Sequence, residues 1–210
     1  MERYEVPPER LGRWLERWGE GNGPVTRTEL RAGRVTFHGA TVLECEPPFP
    51  PLASTGVRDG FDPAPLLEHA ARDRVVGVIL VRLGGHAAGV FSGRRLIASK
   101  VGSRNVHGRH RAGGSSQRRF ERRRAGQARV ALEAAADVAA RVLLPHVADL
   151  DAVVLGGDRR ALAEVLADVR LRPLARLAQD RVLDVPDPRL NVLKTTPDAF
   201  RATVIRLSPP

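Results

Sequence analysis

The stretch VVGVILVRLGGHAAGVFSGRRLIASKV, residues 75–101, decides the fold. Its first segment, Val75–Arg82, has a continuous apolar centre, as a strand covered on both faces requires. Gly84-Gly85 turns the chain into a second strand, His86–Ser92, and Gly93 turns it into a third, Leu96–Val101. Strands joined by such short glycine turns form an antiparallel meander.

Downstream of the meander, residues 102–117 have no periodicity and are rich in Gly, Ser, Arg and His, so they read as a mobile loop. From Arg118 the pattern turns helical and runs to about Leu144, where Pro145 ends it. Ala131, Ala134, Ala135, Val138 and Val142 form a wide face of small apolar residues suited to lying close on a sheet. Asp151–Leu155 reads as a buried strand, turned by Gly156-Gly157 into a helix capped by Asp158. Val182–Val185 and Ala202–Leu207 offer further strands around a shorter helix.

Upstream, residues 47–65 hold prolines 47, 48, 50, 51, 63 and 65 and read as a loop or linker. Before it, Val25–Leu30, Arg34–Phe37 and Thr41–Cys45 alternate like short strands. Leu11, Trp14, Leu15 and Trp18 recur at helical spacing, and both tryptophans read as anchors of that helix on the main domain. The expected architecture is α/β with a mixed sheet. A small N-terminal helix and strand element fills residues 1–65, and the α/β domain fills residues 66–210.

Composition narrows the function. The 210 residues carry a net charge of +10. Between Lys100 and Val130 stand ten Lys or Arg residues and a single acid, Glu121, so nearly all the excess sits in one segment. A near-neutral body with one basic segment is a local footprint for a polyanion. Only Lys100 and Lys194 are lysines, and arginine offers a planar fork that grips phosphate bidentately. No apolar run approaches the roughly 18 residues of a membrane span. The N-terminus lacks the pattern of a secretory signal, and a single cysteine, Cys45, forms no internal disulfide. The expected location is the cytoplasm, with no membrane partner and a monomeric chain.

Several chemistries can be read into residues 102–117. A metal site would use His107 and His110, joined by His38 or His86, but the loop has no acid or Cys and its arginines repel a cation. Ser115 or Ser116 as a nucleophile lacks an orienting acid. A phosphate-cradling Gly-Gly-Ser-Ser lacks the lysine of a P-loop. An RNA-binding arm would use Arg104, His107, Arg109, His110 and Arg111, followed by Arg118, Arg119, Arg122, Arg123 and Arg124. A merely solvated basic loop is the plainest alternative. A further reading gives the glycines and glutamine a task. Gly113 and Gly114 allow close backbone approach, and the neutral amide of Gln117 can place a water against an already activated ester.

The order of these features resembles the middle domain of the eukaryotic and archaeal class I peptide release factors. The likeness runs from Val75 to Val169: the meander, then His107-Gly-Arg, Gly113-Gly114-Ser-Ser-Gln117, Arg118-Arg119-Phe120-Glu-Arg122-Arg-Arg124 and the strand Ala152–Gly157. Those factors carry Gly-Gly-Gln. Matched without gaps, Ser115 stands at the glutamine's place and Gln117 follows two residues later. The form Gly114-Ser115-Ser116-Gln117 resembles instead the Vms-like release factors, including their short actinobacterial-type members. The resemblance implies an RNase-H-like fold of the release-factor middle-domain type. It also implies a peptidyl-tRNA hydrolase that rescues stalled ribosomes or large subunits. Gln117 would be catalytic, with Gly113, Gly114, Ser115 and Ser116 supporting it. The basic residues would contact large-subunit rRNA and tRNA, and no metal or cofactor would be needed. The alternative is a non-catalytic rRNA- or tRNA-binding protein that uses the same arginines.

Overall fold

The computed structural model describes residues 2–82, 85–103 and 116–208, with 116–125 and 208 as backbone alone. The chain divides into two compact units, residues 1–73 with 197–210, and residues 74–196.

In the first unit, β1 (Glu2–Val6) leads into α1 (Pro8–Gly21), β2 (Arg27–Arg31), β3 (Arg34–His38), β4 (Val42–Glu46), β5 (Gly56–Asp59) and α2 (Ala64–Ala71). The last strand of the chain, β11 (Thr203–Ser208), completes a six-stranded sheet in the order β1-β11-β4-β3-β2-β5. All its neighbours are antiparallel. Alternation decides what each face carries. Leu30, Val35, Phe37, Leu43, Cys45 and Ile205 are buried in a core with Leu11, Leu15 and Trp18 of α1 and Leu66 and Ala70 of α2. Intervening strand positions carry ion pairs, including Arg34 with Glu44 at 2.9 Å. Pro8 opens α1, where its missing N–H costs nothing and its fixed φ suits a helix.

The second unit holds β6 (Val75–Arg82), β7 (Gly85–Ser92), β8 (Arg95–Ser103), α3 (Ser116–Leu143), β9 (Ala152–Gly157), α4 (Arg159–Leu166), α5 (Arg172–Ala175) and β10 (Ala178–Leu183). A final helix, α6 (Leu190–Phe200), starts in this unit, and its residues from Pro197 count with the first. The sheet runs β10-β9-β6-β7-β8. β6, β7 and β8 are antiparallel neighbours, whereas β9 lies parallel to β6 and β10 parallel to β9. Parallel pairing needs a long crossover, which α3 supplies between β8 and β9. On one face Ile79, Val81, Val90, Val153 and Leu155 pack with Ala135, Ala139 and Leu143 of α3 and Leu162 and Val165 of α4. On the other, Leu193 of α6 lies over Gly89. This is the mixed sheet with flanking helices of the α/β class read from the sequence.

The units divide elsewhere than at the expected 65/66 boundary. Leu66 and Ala70 bury their side chains in the first core, so α2 belongs to the first unit. β11 pairs with β1 and β4, which carries the C-terminal segment back to the first unit. The N-terminal element is therefore larger than a helix with short strands. Trp18 packs within its own unit, with ring centroids 6.3 Å from Phe37 and 6.5 Å from Phe61. Pairing also makes strands of Glu2–Val6 and of Gly56–Asp59, inside the proline-rich stretch. Gly156 and Gly157 end β9 instead of forming a turn. β10 occupies residues 178–183 rather than 182–185. The aperiodic segment is shorter than residues 102–117: β8 continues to Ser103 and α3 begins at Ser116.

Candidate functional site

α3 is a helix of two halves. From Ala131 onward its small residues Ala131, Ala135, Ala136 and Ala139 are buried, followed by Val142 and Leu143. Short side chains let its backbone approach the sheet closely, and it packs on β7 and β8. The first half carries Arg118, Arg119, Arg122, Arg123 and Arg124 along its backbone. At 1.5 Å per residue these positions lie about 10–20 Å N-terminal to Ala131, beyond the buried seam.

The packed half is held from the side by Arg170. Its guanidinium pairs with Asp137 of α3 at 2.8 Å and with Asp168 at 2.6 Å. Hydrogen bonds from the Arg170 side chain and backbone N–H hold the Asp168 carboxyl below the usual carboxylate range. Along the helix, Arg129 meets Glu133 one turn on, at 3.5 Å. At the end of β8, Gly102 sits across the ladder from His86, which is 5% exposed. A Cβ at Gly102 would collide with the His86 ring, so only glycine lets strand and imidazole stack this closely.

A family model described as Actinobacteria/chloroflexi VLRF1 release factor matches residues 74–206. The chain belongs to this release-factor family. Its function is release-factor-like and belongs to translation, at the ribosome. Among solved structures, the crystal structure of the archaeal translation termination factor aRF1 is similar at 16% identity, over 93% of this chain and 73% of that one, with a TM-score of 0.41. An archaeal protein is similar at 17% identity, over 90% and 69% of the two chains, also with a TM-score of 0.41. No curated protein matches in sequence.

The VLRF1 match takes in all of the second unit from its first residue and continues to Arg206 in β11. Within it, the backbones of Ser116 and Gln117 lie in the first turn of α3, not in a loop. Gly113, Gly114 and Ser115 lie outside the described residues, as do Arg104, His107, Arg109, His110 and Arg111. The side chains of Ser116, Gln117, Arg118, Arg119, Arg122, Arg123 and Arg124 also lie outside them. Of the histidines weighed as metal ligands, His38 is on β3 in the first unit and His86 on β7 in the second. Among the described residues, no group of three His, Cys, Asp or Glu side chains could hold a metal ion. No helix among them is long and apolar enough to cross a membrane.

Sequence reading missed the His86–Gly102 stack. A β-bulge between Val90 and Phe91 shifts the β7–β8 register, so plain alternation does not reveal which residue faces His86. It also missed Arg170 as the partner of α3. That pairing joins positions far apart in the chain, and no local pattern announces it.

Proposed function

We propose that this release factor is a peptidyl-tRNA hydrolase that frees nascent chains from stalled ribosomes or large subunits. The substrate is the ester between the peptide and the terminal ribose of tRNA. Water adds to the ester carbonyl carbon, the bond to the ribose oxygen breaks, and the products are a peptide carboxylate and a free ribose hydroxyl. Gln117 orients the water through its amide and supports the developing oxyanion through its backbone N–H. Gly113 and Gly114 supply the bend, and Ser115 and Ser116 pack against RNA.

One observation carries this reading. Gln117 follows Gly113-Gly114-Ser-Ser and stands in the first turn of α3, the helix whose next residues are arginines, in a chain of the VLRF1 family. The first N–H groups of a helix have no partner within it and carry the positive end of its dipole. A developing oxyanion is stabilised by such donors. Arg104, Arg109, Arg111 and the Arg118–Arg124 cluster bring the turn to rRNA and tRNA by neutralising phosphates. The ester is already activated, so positioning suffices without a strong base. Much of the site is ribosomal, so the isolated protein is a poor esterase.

Large subunits carrying radiolabelled peptidyl-tRNA provide the test. Addition of the protein releases peptide in a single turnover. Stable binding with no release would instead favour a non-catalytic RNA binder, the reading that the basic segment supports by itself.

A further inference from the structure

The second unit holds an open cleft of about 310 Å³ between the end of β8 and the packed half of α3. Lys100, Gly102 and Ser103 line it from the strand, Asp137 and Arg141 from the helix, and His86 from β7. Ala134 and Val138 add an apolar wall. Lys100 and Gly102 pair across the ladder with Ala88 and His86, which places them on the face that α3 covers.

The charge in this cleft is unequal. Among the described residues the only acid lining it is Asp137, and Arg170 already holds that carboxylate at 2.8 Å from outside the lining. Lys100 and Arg141 make no ion pair with an acid among the described residues, and both are exposed. An ammonium and a guanidinium thus share one concavity in which the one acid among the described residues is already paired. Lys100 is one of two lysines in a chain that otherwise uses arginine, and an ammonium binds phosphate as a compact charge.

Position favours RNA as the source of the phosphate. The cleft adjoins Ser103, the last residue of β8, and the proposed catalytic segment follows it in sequence. Arg124 lies about 15 Å from Ala134 along the same helix. A nucleic acid strand held by the arginines of α3 can therefore follow the helix to this cleft.

We propose that the cleft is a seat for one backbone phosphate of the RNA engaged by α3, with Lys100 and Arg141 as its ligands. This rests on the reading of the arginines as RNA contacts. It adds a fixed anchor on the rigid body of the domain, which would set the angle at which α3 meets its target.

The test uses the full chain, a fluorescent single-stranded RNA dodecamer and inorganic phosphate. Each phosphate contact contributes about 0.7 to the slope of log affinity against log salt for a single strand. The Lys100→Ala, Arg141→Ala double variant should reduce the slope by about 0.7, and each single alanine variant by part of that. Lys100→Arg should keep it, and Arg95→Ala, an exposed arginine of β8 outside the cleft, should leave it unchanged. Phosphate alone should shift the backbone amide resonances of Gly102 and Ser103 in the wild type and not in the Lys100→Ala, Arg141→Ala double variant. An unchanged slope in the double variant, or a wild type that does not bind the RNA, overturns the proposal. Phosphate shifts with unchanged slopes mark a free-anion site and also overturn it. Peptide release is measured separately in the same proteins. Release with unchanged slopes defeats the cleft alone, whereas altered slopes in a protein without release defeat the hydrolase reading alone.

Discussion

Gly157 takes φ 104°, and a Cβ there would run into the carbonyl oxygen of Val81 on the neighbouring strand. Both constraints come from β9 ending against β6 just before Asp158 caps α4 by accepting from Ala161 N–H at 2.9 Å. Gly156-Gly157 is visible in the sequence, but it reads as a turn because the need for glycine arises from a strand 76 positions away. Gly157→Ala should lower unfolding free energy by about 1–3 kcal/mol from backbone strain, plus the cost of moving Val81. Urea denaturation checks this, and an unchanged midpoint would refute it. Cys45 is buried in β4, a strand that alternation did reveal. Burial pushes its thiol well above the usual range, so little thiolate forms at neutral pH. An aromatic disulfide reagent should label Cys45 only as fast as the first unit opens, with rapid labelling in denaturant. Rapid labelling of the native protein would contradict that placement.

The division of α3 into a buried half and an arginine-rich half was legible as a change in composition along one helical pattern. Its start was not. Residues 116 and 117 are Ser and Gln, which continue a polar stretch and carry no apolar spacing to mark the first turn. The tie to Arg170 yields an element-scale prediction with a sign. The Asp168 carboxyl is held below its unfolded value near 3.9. Its stabilisation is therefore complete above that value and is lost as pH falls through the lower folded value. Thermal melting of wild type and Asp168→Asn should show a constant gap in Tm above about pH 5, closing toward pH 2. A gap that persists undiminished at low pH would show that Asp168 acts without its charge.

At the scale of the whole molecule, hydrophobic period and glycine turns were enough to reveal the meander of β6, β7 and β8 and the core of β9, but not the place of β10. The first unit was harder because β1 and β11 come from opposite ends of the chain and become a sheet only by pairing with each other and β4. The concentration of charge between Lys100 and Val130 was fully legible, since charge is additive along a sequence. It fits the proposed role, in which the basic segment brings Gln117 to RNA. The decisive measurement is the single-turnover rate of peptide release from loaded large subunits, with wild type and Gln117→Ala each at saturating concentration. The account predicts release slower by about a hundredfold or more in the variant, with the same affinity for the subunit. Equal rates in the two proteins would contradict it.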